Sequence, residues 1–155
     1  MDTALIAALA HHESGHAVVN RLLGVGVESV EVTDEATKTT TLGLDDLEAN
    51  RPESDEYRRR AEPFLIGQLA GGIAERRFTG KDSDSGSDDR QNAGWLAIEI
   101  CPTGLSLQDY IDEMARRAED IVDQNWTAIR RVADRLVQVG HVGGDVLDAL
   151  IWPAP

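Results

Sequence analysis

The sequence predicts a mainly α fold: a compact helical domain with a small β hairpin or ribbon after the first helix. Three observations predict it. Apolar residues recur at helical spacing over most of the chain, β-branched alternation is confined to residues 27–44, and Gly or Pro falls at the joints between segments. The 155 residues are about one domain by length, taken as 1–155. A domain of that size removes roughly 68–70% of its extended-chain surface from water, so a core is expected without disulfide staples. Hydrophobic residues are 41% of the chain and aromatics only 5%, so that core is expected to be Leu, Ile, Val and Ala.

The elements follow in order. Residues 3–23 place Leu5, Leu9, His12, His16, Val19 and Leu23 on one helical stripe, and Gly24 and Gly26 end it. Two β-leaning runs, 27–33 and 37–44, flank Asp34, Glu35 and Ala36. Residues 45–55 are acidic, contain Pro52 and read as an exposed loop or short turn. A helix is surest over 63–78; its Gly71 and Gly72 weaken it but admit another backbone. A Gly/Ser/Asp loop spans 79–87, and a third helix runs from near Asp88 to before Pro102. One long helix is expected over 107–139, with Met114, Ala118, Ile121, Val122, Ile129, Val132 and Leu136 at helical spacing and Gly140 as its stop. A short helix near 145–151 closes the chain.

Charge narrows the function. The formal net charge is −13 and the pI near 4.6, a field that repels phosphate backbones and anionic lipid. Neither nucleic-acid binding nor membrane-surface binding is expected. No apolar run approaches the ~20 residues that cross a bilayer, so no membrane insertion is expected. The apolar residues 4–10 follow Asp2 rather than a basic segment, which argues against a signal peptide. The single Cys101 cannot form an internal disulfide and suits a reducing compartment; a cytoplasmic location is expected.

The sharpest local signal is His12-Glu13-Ser14-Gly15-His16, the H-E-x-x-H pattern. At ordinary residue usage it arises by chance on the order of once in a few hundred chains this long. Residues four apart on a helix lie one turn apart, about 6 Å along the axis. Two imidazoles so placed can reach one Zn²⁺, and Glu13 beside them can take the proton of a water activated there. The plain alternative is a pair of core or surface histidines. Helical phase buries both, however, and two adjacent buried histidines need a partner, which a metal supplies.

A zinc site needs further ligands. Glu75 and the loop acids Asp82, Asp84, Asp88 and Asp89 are the candidates, since no third histidine stands at metzincin spacing. Asp89 shares a helix face with Ala93, Leu96, Ala97 and Ile100, whereas Asp88 shares one with Asn92, Trp95 and Glu99. An aspartate aimed at the core suits a metal; the alternative is that Ser87 caps the helix and both aspartates complement its positive end. Glu75, beside Arg76 and Arg77, reads as a solvated acid, a ligand, or a hydrogen-bond support for a zinc histidine. His11 and His141 read as exposed polar residues, and Cys101 as a packed thiol.

These residues resemble the zinc peptidase domain of the FtsH family of ATP-dependent proteases. Residues 10–19 are similar to that family's A-Y-H-E-A-G-H-A-hydrophobic stretch, residues 69–80 to its L-G-G-R-A-A-E-E…F-G helix, and Ser87-Asp88-Asp89 with Ala93 and Ala97 to its S-N-D-L-x-x-A-T-x-x-A block. Residues 116–136 resemble its C-terminal helix. The resemblance implies a compact helical zinc-peptidase fold, with His12, His16 and Asp89 as zinc ligands, Glu13 as catalytic base and Glu75 as support behind a ligand. The chain departs from the family at three places. It has no G-x-x-x-x-G-K-[ST] phosphate loop, Thr33-Asp34-Glu35 replaces a P-R-G segment, and the G-M-S region is cut to about 101–106.

The function expected is therefore a stand-alone zinc metallopeptidase acting on peptides or unfolded protein. An ATPase supplied in trans and a homo-oligomer both stay open. The alternative is a non-catalytic peptidase-fold module that binds a protein partner, such as an ATPase ring.

Overall fold

Helix α1 (Thr3–Leu22) is the axis around which the other elements pack. Every residue from Ala10 to Asn20 is buried, so this half is enclosed on all sides rather than along one stripe. Leu5, expected on the buried stripe, lies instead on the exposed first turns. This computed structural model describes residues 1–83 and 85–155.

Strands β1 (Gly26–Val32) and β2 (Thr37–Leu42) form the expected antiparallel ribbon, closed by a turn in which Thr33 Oγ1 accepts from the Ala36 amide. A third strand, β3 (His141–Gly143), pairs with β1 through Val30 and Val142, giving the order β2-β1-β3. Three residues are too few to show a period of two, so only the register reveals this strand. Among the described residues β2 has no neighbour on its outer side. It stands beside α1, and its Thr39 Oγ1 lies 3.0 Å from the Glu13 carbonyl oxygen.

Part of the expected loop 45–55 is helix α2 (Leu44–Ala49), which buries Leu47. Helix α3 (Ser54–Thr79) starts well before residue 63; Tyr57 and Ala61 anchor its first turns and Pro63 lies inside it. Gly80 ends it in the left-handed region at φ 73°. Helix α4 (Ser87–Ile100) buries Ala93, Leu96, Ala97 and Ile100 and exposes Asn92, Trp95 and Glu99.

The expected helix 107–139 is two helices, α5 (Leu107–Gln124) and α6 (Trp126–Val139). Asn125 divides them, its Nδ2 donating to the Ile121 carbonyl at 2.8 Å and so competing with the backbone for that acceptor. The break lets α5 pack on α3 while α6 packs on α1. Helix α7 (Gly144–Ile151) follows, and Asp148 accepts two hydrogen bonds from Arg21 of α1, both 2.8 Å. Among the described residues no helix is long and apolar enough to cross a membrane.

Small residues set the spacing of α1 and α3. A Cβ on Gly15 would stand 2.6 Å from Ala74 Cβ and 2.7 Å from the Ala70 carbonyl oxygen. On Gly71 it would stand 2.2 Å from His16 Nε2. The two helices pack this closely only because both positions lack side chains.

Candidate metal centre

Three elements converge on one point. Helix α1 presents His12 and His16 from successive turns, the first turn of α4 presents Asp89, and α3 lies behind the two rings. His12 Nε2 and His16 Nε2 are 3.1 Å apart, and Asp89 Oδ2 lies 2.9 Å from the first and 3.1 Å from the second.

The other ring nitrogens fix where the protons are. His16 Nδ1 is 2.8 Å from the Gly67 carbonyl, which can only accept, so that nitrogen carries the hydrogen. His12 Nδ1 is 2.8 Å from Glu75 Oε2, a carboxylate oxygen that accepts in the same way. With both rings neutral, their Nε2 lone pairs would face each other and an anionic oxygen, so the cluster needs positive charge at its centre, either a proton or a cation.

The atoms fit zinc. Tetrahedral ligands at the usual bond lengths of about 2.0–2.2 Å lie roughly 3.3 Å from one another, and the observed triangle has edges of 2.9–3.1 Å. Among the described residues, His12, His16 and Asp89 are the one group of three or more His, Cys, Asp or Glu side chains placed so that they could hold a metal ion. Two nitrogens and one oxygen are also a donor set that zinc accepts.

Electrostatics express the same demand for positive charge. Burial would push the His12 imidazole down, but hydrogen bonds to Asp89 and Glu75 and the charge of Glu13 outweigh it and hold His12 above its ordinary value. Burial would raise Asp89, yet the two histidines pull it well below the usual carboxylate range. Glu75 is likewise lowered: burial opposes ionisation, and hydrogen bonds from Ser85, Ser83 and His12 overcome it. Glu75 is 4% exposed, so the reading of a solvated acid fails; Arg76 and Arg77 point outward to Glu119 and Asp123 while Glu75 turns inward.

Glu13 is buried next to the pair and its Oε2 accepts from Thr39 Oγ1 at 2.7 Å. Burial raises its pKa above the ordinary value; the nearby His16 and the Thr39 hydrogen bond lower it again in part. A carboxylate so held is a base with little competing solvation.

Other acids do not join. Asp82 is exposed and 3.5 Å from Arg76, and Asp88 faces solvent. Asp84 lies outside the described residues. Ser87 does not cap α4: the position before the helix is Gly86, and no side chain caps it. His11 corrects its expected exposure. It is buried, its ring stacks on Phe78 with centroids 3.7 Å apart, and Nδ1 is 2.8 Å from the Ala7 carbonyl. His141 is exposed, and Cys101 is partly buried against the core.

Sequence reasoning missed Thr39, Gly67, Gln68 and Ser85. Gln68 Nε2 reaches Asp89 Oδ1 at 3.3 Å, and Ser85 Oγ donates to Glu75. A usable signal existed for Gly67, which stands one helical turn before Gly71. The alternate threonines 37, 39 and 41 could likewise have marked the strand face turned to the site.

No protein-family model matches the chain. Over 107 residues it is 35% identical to "ATP-dependent zinc metalloprotease FtsH 2" of Methylacidiphilum infernorum (isolate V4), a match covering 63% of this chain and 15% of that protein. The chain thus carries a region distantly similar to a small part of an FtsH metalloprotease, together with a His-His-Asp group of metal-binding geometry.

Proposed function

We propose that the chain is a zinc metallopeptidase that hydrolyses peptide bonds of flexible or unfolded polypeptides. One observation carries the proposal: the Nε2 atoms of His12 and His16 and Oδ2 of Asp89 converge to within 3.1 Å of one another, with Glu13 buried next to them. The distant similarity to an FtsH metalloprotease supports it.

His12, His16 and Asp89 would hold the ion, with Glu75 and the Gly67 carbonyl fixing the ring orientations. A zinc ion there supplies Lewis-acid polarisation of a carbonyl and makes water acidic enough to deprotonate near neutral pH. Glu13 takes the proton of the attacking water on its carboxylate. The same residue then delivers it to the leaving amine, so that one carboxyl serves as base and then acid. Thr39 holds Glu13 in place through Oε2 and leaves Oε1 for the water. Flexible chains are the proposed substrates because they can enter a site framed by an edge strand and a helix start without being unfolded first; an ATPase acting in trans would extend the range to folded proteins.

The test is Glu13→Gln. Metal content should stay near one zinc per chain while cleavage of an unstructured polypeptide falls by at least about 10²-fold. Full activity in that variant, or purified protein that takes up no metal, removes the proposal. A second reading, a non-catalytic module for a protein partner, is favoured by Trp95 and Ile98, exposed on the same helix that carries Asp89. Retained zinc with no turnover on any peptide, together with a stable complex lost on Trp95→Ala, would select it.

A further inference from the structure

Two cavities share His16 and Asp89, and successive stretches of β2 line them: Thr37 and Lys38 one, Thr39 and Thr41 the other. They therefore flank the candidate metal position along the strand. The second is the smaller, about 80 Å³, and its lining includes Asn20.

Asn20 lies one helical turn beyond His16 on the same face of α1. It is 4% exposed, and its Oδ1 is fully enclosed without a hydrogen-bond partner among the described residues. Helix α3 makes room for the amide: a Cβ on Gly67 would stand 2.0 Å from Oδ1. A buried amide with unused hydrogen-bonding capacity, lining a cavity beside the site, is poorly explained by packing, since an apolar side chain of the same shape would pack without that cost.

From this geometry we infer that the cavity receives the side chain of the substrate residue next to the scissile bond, and that Asn20 selects a small, uncharged, hydrogen-bonding one: Ser, Thr or Asn. The inference rests on the peptidase reading and adds the specificity of that site. Size sets the first limit. A cavity of roughly 150 Å³ accommodates benzene, so one of about 80 Å³ rejects aromatic rings and the long chains of Lys and Arg. Charge sets the second: no Lys or Arg lines the cavity, so a substrate Asp or Glu would lose its hydration there without gaining a cationic partner side chain. Hydrogen bonding sets the third. The Thr39 hydroxyl already donates to Glu13 and the Gln68 amide to Asp89; on Asn20, Oδ1 is enclosed against Gly67, which leaves Nδ2, without a hydrogen-bond partner among the described residues, as the donor for the cavity. Leu44 and Phe64 supply the apolar wall against which a Cβ or methyl group rests.

The test uses zinc-loaded protein and unstructured octapeptides that differ at one position, Ser, Thr, Asn, Val, Leu or Phe. Cleavage is followed by mass spectrometry, and peptide affinity is measured by calorimetry on the Glu13→Gln variant. Ser over Val should be preferred about tenfold in both kcat/KM and Kd, and Asn20→Leu should bring both ratios to about unity. A ratio is insensitive to the fraction of protein folded, so a merely structural role for Asn20 would leave it unchanged. Cleavage with no preference for Ser, Thr or Asn, or with the preference intact in Asn20→Leu, overturns this inference and spares the peptidase reading. Absent cleavage with an Asn20-dependent binding preference overturns the peptidase reading and keeps the pocket. Absence of both overturns both.

Discussion

Gly71 shows how one missing side chain can hold a site together. Its Cα lies under the His16 ring, where a Cβ would stand 2.2 Å from Nε2, whereas a Cβ on neighbouring Gly72 meets nothing within 4 Å. The pair therefore separates two effects of alanine. Either substitution favours helix α3 by about 0.5–1 kcal/mol through backbone entropy, but only Gly71→Ala displaces the ring. We expect Gly72→Ala to raise the melting temperature with zinc content unchanged, and Gly71→Ala to lose zinc while the helical circular dichroism persists; equal zinc content in both would contradict the packing argument. Glu75 should act through His12 rather than through the ion. Glu75→Gln keeps the shape but replaces a carboxylate acceptor, so zinc affinity measured with a competing chelator should fall about 10–100-fold. At this scale the sequence was most informative where spacing alone decides orientation: His12, Glu13 and His16 were legible, and so was the inward phase of Asp89. The inward turn of Glu75 and the burial of His11 were not, because each depends on a distant helix. The Phe78 ring that covers His11 stands 67 positions away.

Elements were legible where they repeat a period and illegible where they end. The third strand and the break at Asn125 are both features of three residues or fewer, below any pattern length. The start of α3 is hidden by Arg58, Arg59 and Arg60, which mask the buried Tyr57 and Ala61 on either side. Docking between elements depends on a few contacts that can be tested singly. Gly15 of α1 rides on the backbone of α3, so Gly15→Ala meets the Ala70 carbonyl, which cannot move aside as a flexible side chain would. A loss of about 1–3 kcal/mol in urea unfolding is expected. The Arg21–Asp148 pair joins α1 to α7, and its two hydrogen bonds hold the Asp148 carboxyl below the ordinary value. The depressed folded-state value means the pair stabilises above the unfolded pKa of about 3.9 and ceases to do so as pH falls through the folded value. Because both partners are partly solvated, no more than about 1 kcal/mol is at stake. Asp148→Asn should therefore cost a few tenths to about 1 kcal/mol at pH 7, and the difference from the native chain should begin to shrink below about pH 4 and vanish once pH is below the folded value. A difference that persisted unchanged at low pH would show that shape, not charge, was responsible.

Across the whole molecule, the proposed zinc would join α1 and α4, two helices that scarcely touch each other directly. His12 and His16 belong to the central helix, Asp89 to the start of α4, and the segment 80–86 between α3 and α4 has little apolar content to anchor it. An ion bound only by the folded state stabilises it by RT ln(1 + [L]/Kd), about 2.7 kcal/mol at a free concentration 100 times Kd. For a chain of this length each kcal/mol shifts the melting temperature by about 2–4 °C, so chelation should lower it by about 5–11 °C. The net charge of −13 offers a competing explanation, since any divalent cation screens self-repulsion and raises stability without a specific site. Ligand chemistry separates the two. Two imidazoles and a carboxylate bind zinc far better than magnesium, whereas diffuse screening does not distinguish them. Zinc at micromolar concentration should therefore restore the chelated protein where magnesium at the same concentration does not, and Asp89→Ala should melt at one temperature with or without chelator. If magnesium restored the native chain equally, or Asp89→Ala kept the full chelator response, the cation effect would belong to the acidic surface and the three-residue centre would have no part in it.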